Sequence, residues 1–370
     1  MPTIKSYGVN TRNYIRWDAQ AVEKVPPNEN EDIQAVADMI NTIQKTHYNT
    51  TRHMYSGTHP RTQGLVKGKL IVGDLPPHLA QTELFSKPGE FPIAMRYSTE
   101  TADPGIDDRI PQPRGLGMKV FNVQGEMFDS GKDFPTQDIE FNSTPAIELA
   151  DAKTTKEIFQ IRLKYGGDKK ELYKQLEARD DTDLQKARDE VRNTHLESIR
   201  QYSQTAYRFV DYVVKYSLVP SSETQKKLYE EQVNPEIHTN HVLSDWLKEF
   251  FSKNDAEYLF QVPICENLED QPVEYAGKEW DAEKYPWQTV AKVVIPKQDS
   301  MIPARKTFWE DHIRLDPWHG LKSFQPLEST NRLRRGVYLA SIALRHKMNG
   351  RKEINVTSID QIPDGGDVEA

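Results

Sequence analysis

The chain of 370 residues has a single cysteine, Cys265. One thiol can form neither an internal disulfide nor a cysteine-rich zinc site, and this scarcity is typical of proteins kept in a reducing compartment. Cys265 lies in the apolar-flanked segment VPICEN, where a free cysteine is usually buried and inert. The sequence therefore predicts a cytoplasmic protein in which the thiol has no chemical role.

Long apolar stretches are also missing. No run approaches the roughly 18 apolar residues of a membrane-spanning helix, and the opening segment MPTIKSYGVNTRNYIRW lacks the apolar core of a secretory signal. Acidic residues exceed basic ones, 56 against 48, so the formal net charge is −8. We therefore expect neither nucleic acid nor a membrane as the main partner, whereas assembly into a homo-oligomer stays open.

Strand-like and helix-like segments follow one another in blocks. Residues of about 64–145 and 255–297 contain short alternating segments such as FPIAMRYST and TVAKVVIPK, which predict strands. Residues of about 151–250 predict a helical insertion, and the segment of about 328–348 has strong helical periodicity. Because strands and helices do not alternate singly, the blocks predict an α+β fold with an antiparallel β-barrel or sheet.

One large domain is expected to contain most of the chain. The first 30 residues are polar with clustered prolines, which predicts an extended arm, and residues 351–370 predict a frayed tail. No internal repeat or long low-complexity linker divides residues 31–350. We therefore predict a single domain over 31–350.

The helix near the C-terminus carries an unusual polar face. Arg334, Tyr338 and Arg345 fall near 0°, 40° and 20° on a helical wheel, because each residue advances by about 100°. A solvated charged face is the ordinary interpretation. The alternative is a buried tyrosinate, which needs a cation because free tyrosine has a pKa near 10. Tyrosinate is a suitable ligand for ferric haem iron, and an arginine suits a haem propionate.

The segment RRGVYLASIALR resembles the proximal helix of haem catalases. In that family an arginine, three residues, the iron-ligating tyrosine, six residues and a second arginine follow one another. The resemblance implies a catalase-like antiparallel β-barrel with haem b as cofactor. It further implies Tyr338 as the iron ligand, Arg334 as the cation that supports it, and Arg345 as a partner of a propionate.

A histidine before the first predicted strand extends the resemblance. In His59-Pro60-Arg61-Thr62-Gln63-Gly64, the glycine and the strand after it match the register of small catalase-like proteins. A lone histidine is more often structural than catalytic, and His53 is a competing candidate whose spacing does not fit. The resemblance implies that His59 is the essential distal histidine.

Two further motifs occur in the family's order. Arg96-Tyr97-Ser98-Thr99 resembles Arg-Phe-Ser-Thr, and a period of two places Arg96 and Ser98 on one strand face. The resemblance implies that Arg96 binds a propionate and Ser98 hydrogen-bonds the distal histidine; an ordinary strand-end ion pair is the alternative. Asn142-Ser143-Thr144-Pro145 resembles Asn-Asn-Thr-Pro, which implies that Asn142 is the distal asparagine rather than a mere turn residue.

Position 58 departs from the pattern of catalases. The residue before the distal histidine is usually apolar in that family, whereas here it is Thr58. Thr58 resembles the threonine of catalase-related allene oxide synthases, where the hydroxyl is thought to interact with the distal histidine and to restrain catalase activity. If the Thr58 hydroxyl bonds the imidazole, it competes for the orientation and basicity of His59 that peroxide cleavage needs.

Other departures concern a propionate partner and the access channel. Ser56 stands where catalases place another arginine, and the sequence leaves open whether Arg52 or Arg61 replaces it. Ile147 and Glu148 stand where catalases have an aromatic pair. We expect a wider pocket with a carboxylate at its mouth.

The function implied by the resemblance is that of a haem-dependent peroxidase or weak catalase acting on hydrogen peroxide or organic hydroperoxides. One alternative is a haem enzyme that rearranges a fatty-acid hydroperoxide or performs an oxidative tailoring reaction. A non-catalytic haem-binding protein is a third hypothesis. The presence of both His59 and Asn142 favours an enzyme, because a haem carrier needs no group that shuttles protons.

Overall fold

The computed structural model describes residues 13–128 and 133–365. Eight of its strands close into an antiparallel barrel in the order β1-β10-β9-β8-β5-β4-β3-β2. These strands are β1 (Arg61–Val72), β2 (Gly89–Thr99), β3 (Arg114–Val120), β4 (Gln137–Asn142), β5 (Gln201–Tyr202), β8 (Ser217–Pro220), β9 (Ala256–Val262) and β10 (Gln288–Ile295). A separate hairpin consists of β6 (Tyr207–Phe209) and β7 (Tyr212–Val214). The predicted α+β fold with an antiparallel barrel is confirmed.

Helices surround this barrel. They are α1 (Glu29–Thr51), α2 (Ala152–Tyr165), α3 (Lys169–Glu177), α4 (Thr182–Ala187), α5 (Glu223–Leu228), α6 (Val242–Lys253), α7 (Pro303–His312) and α8 (Glu328–Asn349). The long helices α1 and α8 pack together through Val36 and Ile40 on one side and Leu333 and Val337 on the other. No helix of the described residues is long and apolar enough to cross a membrane.

Side chains of β9 alternate between the barrel core and the outside, and the inward ones help to fill the barrel. In β9 every second residue is buried, from Ala256 to Val262, so one face of the strand points into the core. Tyr258 lies on that face, and its hydroxyl is 2.7 Å from the hydroxyl of Tyr97 on β2. Two polar groups that pair with each other inside the barrel avoid the cost of burial without a partner.

The predicted helical insertion is only partly helical. Residues 201–220 form four short strands, and two of these, β5 and β8, belong to the barrel. The sequence QYSQTAYRFVDYVVKYSLVP is rich in aromatic and β-branched residues, which favour strands. The barrel closes through this segment, because β5 pairs with β4 and β8 pairs with β9.

The two chain ends pack on the domain where they are described. In the predicted arm, Val22 is buried and the Ile15 amide donates to the Cys265 carbonyl. In the predicted tail, Val356 and Ile362 are buried against α7 and the barrel. The described part of the tail is therefore not frayed, because its apolar side chains have a surface to cover. The Cys265 thiol is buried, which raises its pKa to about 12 and leaves it inert.

The outer face of β2, β3 and β4 and the long helix α8 line a common cavity. Register pairs Ser98 with Gly115 and Gly115 with Asn142 in one row, and Arg96 with Gly117 and Gly117 with Glu140 in the next. The intervening residues of these strands belong to the main apolar core. Polar side chains thus flank two glycines on the one face that points away from the barrel interior.

A cluster of charges fixes the start of α8 to three other segments of the chain. The guanidinium of Arg332 contacts Glu23 at 2.6 Å, Glu29 at 2.8 Å and Glu274 at 2.8 Å. These carboxylates lie in the N-terminal arm, in α1 and in the loop before β10, so one arginine joins three segments to the helix. The side chain of Glu29 is only 4% exposed, which makes its pairing with Arg332 necessary.

We expect Arg332→Gln to lower the free energy of unfolding by about 2–4 kcal/mol, because it leaves the buried Glu29 without its cation. Denaturant titration measures this difference. The control is Arg335→Gln, since Arg335 is exposed and only stacks on Trp318 at 4.8 Å; it should cost less than about 1 kcal/mol. Equal losses in the two variants would contradict the importance of the cluster.

Candidate active site

All eight side chains that the motifs single out line one cavity of about 120 Å³. They come from four separate segments: the residues before β1, strand β2, the end of β4, and helix α8. The residues are Thr58, His59, Arg96, Ser98, Asn142, Arg334, Tyr338 and Arg345. The fold therefore brings the predicted residues together, although they are up to 287 positions apart in the chain.

His59 is held by its backbone and by its ring. Its φ of 50° lies in the left-handed region, which a non-glycine residue rarely adopts. Arg96 Nη2 donates to the His59 carbonyl at 2.6 Å, and Ser98 Oγ lies 3.2 Å from Nδ1. A Cβ on Gly115 would come within 2.4 Å of Cε1 and Nδ1 of the imidazole. The ring thus rests directly on the backbone of β3.

These contacts set the proton state of the imidazole. Burial, together with the charges of Arg96 and Arg334, lowers the pKa of His59 to about 3, so the ring is neutral near pH 7. The Ser98 hydroxyl donates to the Gly115 carbonyl at 3.3 Å, and it can therefore accept from Nδ1–H. This arrangement leaves the lone pair of Nε2 as the base within the cavity.

Asn142 is anchored by its neighbours. Its Nδ2 donates to Oε2 of Glu100 at 2.9 Å, and its Oδ1 accepts from the Ser143 amide at 2.7 Å. One amide hydrogen of Asn142 is thus engaged, and the second stays available to a ligand. Glu100 could not be selected from the sequence, because no local pattern connects it with a residue 42 positions away.

Tyr338 is not a tyrosinate in this structure. Its hydroxyl donates to Oε2 of Glu140 at 2.9 Å. Burial and the neighbouring carboxylate raise the pKa of Tyr338 well above its usual value, and Arg334 opposes this shift without reversing it. Arg334 itself donates to Thr205 Oγ1 and Asn331 Oδ1. The Glu140 carboxyl thus opposes the effect of Arg334 on the phenol, and ligation of haem iron by ionised Tyr338 stays a prediction.

Glu140 is the important site residue that the motifs do not select. It faces the cavity from β4, and burial raises the pKa of its carboxyl to about 7. A signal was present in the sequence, since Glu140 and Asn142 are two residues apart and therefore share a strand face.

Two arginines of the cavity have no carboxylate partner. Arg96 donates to Thr62 Oγ1 and to the His59 carbonyl, and Arg345 donates to the Ile313 carbonyl at 2.8 Å. Among the described residues neither forms an ion pair, and the Nε of Arg345 is buried without a hydrogen-bond partner. Burial accordingly lowers the pKa of Arg96 to about 10. Two such cations are suited to an anionic ligand.

The described residues show no hydrogen bond between Thr58 and His59. Ser98 bonds Nδ1 instead, and the Thr58 hydroxyl bonds no residue of the described chain. Ser56 lines the cavity, but neither arginine considered as its replacement does so. Arg61 pairs with Asp108 at 2.9 Å, and Arg52 is an exposed residue at the end of α1.

A second cavity of about 800 Å³ adjoins the first and shares His59, Asn142 and Tyr338 with it. Ile147 lines this larger cavity, in agreement with the expected wider pocket. Glu148 does not lie at a mouth, because its buried carboxylate is 3.1 Å from both Arg162 and Arg188. The expectation for Glu148 is therefore wrong: its charge is used inside the protein.

Comparison of three-dimensional structures finds catalases. A fungal catalase matches with a TM-score of 0.55 at 14% identity, covering 88% of this chain and 70% of the catalase. Catalase A from Saccharomyces cerevisiae gives 0.56 at 13%, covering 92% and 70%, and a bacterial catalase gives 0.56 at 14%, covering 99% and 74%. No family model and no curated protein matches the sequence. The similarity establishes a catalase fold.

The contact between His59 and Gly115 gives a testable consequence. We expect Gly115→Ala to lower the free energy of unfolding by about 1–3 kcal/mol, because the new methyl group would overlap the imidazole. Gly73→Ala is the control, since a Cβ there meets no atom within 4 Å, and it should change stability by less than about 0.5 kcal/mol. Denaturant titrations of the two variants decide the matter; equal stabilities would mean that His59 does not rest on β3.

Proposed function

We propose that the protein is a haem-dependent oxidoreductase that consumes hydrogen peroxide or organic hydroperoxides. The observation that carries this proposal is the convergence of eight motif residues from four segments on one cavity. The catalase fold supports it, since the structural neighbours named above are catalases. At identities of 13–14% the fold by itself would leave the chemistry open, so the residues of the cavity bear the argument.

The donor set of the cavity fits haem. Arg96 and Arg345 are buried cations without ion-pair partners, as two propionates require. Gly115 and Gly117 have no side chains, so that His59 and Leu315 lie directly on the barrel backbone, and Tyr338 lines the same cavity. A phenolate has no proton to donate, so ligation by Tyr338 requires its hydrogen bond to Glu140 to open. Haem, when bound, supplies the iron that accepts a peroxide oxygen and the redox capacity to break the O–O bond.

His59 is the proposed acid–base residue. Its neutral imidazole can take the proton from a peroxide and return it to the leaving oxygen. The bond to Ser98 fixes the ring orientation, and the φ of 50° fixes the backbone from which the ring extends. A base held in this way needs no reorganisation before it acts.

Asn142 is proposed to orient the peroxide. Glu100 engages one amide hydrogen of Asn142 and leaves the second N–H free. Asn142 lines the same cavity as His59. Such a donor stabilises negative charge that develops on oxygen as the O–O bond breaks. Glu100 acts through Asn142 and is therefore a positioning residue.

The adjoining cavity favours an organic hydroperoxide over hydrogen peroxide. Hydrogen peroxide needs no space of about 800 Å³ next to the reacting groups, whereas an organic substituent does. The same observation supports rearrangement of an organic hydroperoxide as a second candidate, and the Thr58 hydroxyl, which faces both cavities, is available to contact such a substrate. Product analysis separates reduction to an alcohol from rearrangement.

Tyr338→Phe should lose haem or bind it at least about tenfold more weakly, because the variant has no oxygen to bind iron. The measurement is the visible spectrum during haem titration of purified protein. Tyr55→Phe is the matched control, since Tyr55 also lines the cavity but is not a proposed ligand. An unchanged ferric spectrum in Tyr338→Phe would remove the assignment.

His59→Ala should retain haem and lose peroxide turnover by a factor of about 100 or more, the usual scale for a general acid–base residue. His53→Ala is the control, because His53 pairs with Asp311 at 3.4 Å outside the cavity. Turnover is measured per bound haem with hydrogen peroxide and with cumene hydroperoxide. If His53→Ala loses peroxide turnover and His59→Ala does not, the assignment of His59 from its spacing to β1 is wrong.

A further inference from the structure

The adjoining cavity of about 800 Å³ has the size of a small-molecule binding site, for which about 300–1,000 Å³ is typical. It begins at His59 and Asn142, the proposed reacting end. At its other end Leu163 and Tyr173 are each 43% exposed, so the cavity reaches solvent between α2 and α3. A ligand in it would extend from the surface to the reacting groups.

The wall of this cavity is mainly apolar. Helices α1, α2 and α8 and the segment after β4 contribute aliphatic and aromatic side chains, among them Val36, Ile43, Ile147, Phe159, Leu163 and Leu333. Apolar area removed from water contributes about 25 cal/mol per Å². The wall therefore favours a ligand with an extended apolar part.

The charges in the wall are balanced among themselves. Arg162 and Arg188 line the cavity, and each lies 3.1 Å from the buried Glu148. Arg188 also contacts Asp189 at 2.8 Å and lies 3.8 Å from Glu100. Two cations thus face three carboxylates, so this part of the wall offers no unpaired positive charge to an acid.

The remaining arginine of the wall, Arg334, lies at the end of the cavity next to the reacting groups. Arg334 lines both cavities, and it lies beside Tyr338 on α8. A substrate whose carboxylate paired with Arg334 would place its acid at the reacting groups and its hydroperoxide elsewhere. Arg334 therefore does not supply a site for the carboxylate of a productive substrate.

We propose that this cavity binds the organic part of the substrate and that this part is uncharged, as in a predominantly apolar neutral organic hydroperoxide. The inference rests on the proposed function for the reacting group and adds the substrate class. An ionised carboxylate would lose water here without gaining a cation, which is costly. Fatty-acid hydroperoxides in their ionised form are accordingly disfavoured.

The test compares two unreactive probes with the same alkyl chain, octan-1-ol and octanoate, by calorimetric titration near neutral pH. Octan-1-ol should bind at least about tenfold more tightly, which corresponds to about 1.4 kcal/mol. Equal or tighter binding of octanoate would overturn the inference, and so would the absence of binding by either probe. The comparison needs no variant and is made on both haem-depleted and haem-loaded protein.

Two variants locate the probe. Ile147→Trp fills the cavity with an indole and should weaken octan-1-ol binding at least about tenfold. Leu339→Trp adds the same side chain on the outer face of α8, where Leu339 is 48% exposed, and should change nothing. Equal effects of the two substitutions would place the probe outside the cavity and overturn the assignment.

A charge variant tests the reason for the preference. Glu148→Gln removes the carboxylate that pairs with Arg162, whereas Arg188 keeps Asp189, and it should raise the affinity for octanoate at least about fivefold while octan-1-ol binding stays level. An unchanged octanoate affinity in the folded variant would contradict charge balance as the cause. If the variant does not fold, the comparison of the two probes on the wild-type protein still decides the inference.

Visible spectra of the same samples measure haem uptake, so that a failure of the proposed function can be distinguished from a failure of this inference. Protein that takes up no haem and still prefers octan-1-ol contradicts the proposed function and leaves the neutral cavity standing. Protein that takes up haem and prefers octanoate contradicts only the substrate class.

Discussion

The imidazole of His59 lies against the backbone of Gly115, so closely that a methyl group there would come within 2.4 Å of Nδ1. The rest of the site depends on this contact, because it fixes the height of the ring above the barrel. Ser98 and Asn142 occupy the same row of the sheet on either side of that glycine. In the next row Gly117 is equally bare, and a Cβ there would come within 2.3 Å of Leu315. His59 and Leu315 can lie on this barrel face because the residues beneath them have no side chain.

Charge is distributed differently in the two cavities. Around His59, Arg96 and Arg345 are buried without ion-pair partners among the described residues, and burial together with the charges of Arg96 and Arg334 keeps the imidazole neutral. In the larger cavity, Arg162 and Arg188 are neutralised within the protein by Glu148 and its neighbours. Buried unpaired cations favour an anionic ligand, whereas balanced charges beside an apolar wall do not. Adjacent spaces thus differ in the ligand that they select, although both are lined by arginine.

Local periodicity is enough to predict some of these features. Arg96 and Ser98 share a strand face because side chains alternate, and both contact His59 as a consequence. The antiparallel barrel follows from the grouping of strand-like segments. The short strands β5 and β8 were missed because two to four residues carry too little pattern to compete with the surrounding helical signal. The partners of Glu148 were missed as well, since they lie on or near helices whose packing no local pattern specifies.

Tyr338 shows why a correct position does not fix a protonation state. Helical spacing places Tyr338 near Arg334, and an arginine nearby does lower the pKa of a tyrosine. The carboxylate of Glu140 comes from a strand 198 residues away and acts in the opposite direction. Burial adds to its effect, because a phenolate loses hydration inside the protein. Two effects that raise the pKa outweigh the one that lowers it, so the phenol keeps its proton until a stronger cation than Arg334 reaches its oxygen. Under the proposed function, ferric iron would be such a cation, and the ionisation of Tyr338 would be a result of ligation rather than a condition that the helix prepares in advance.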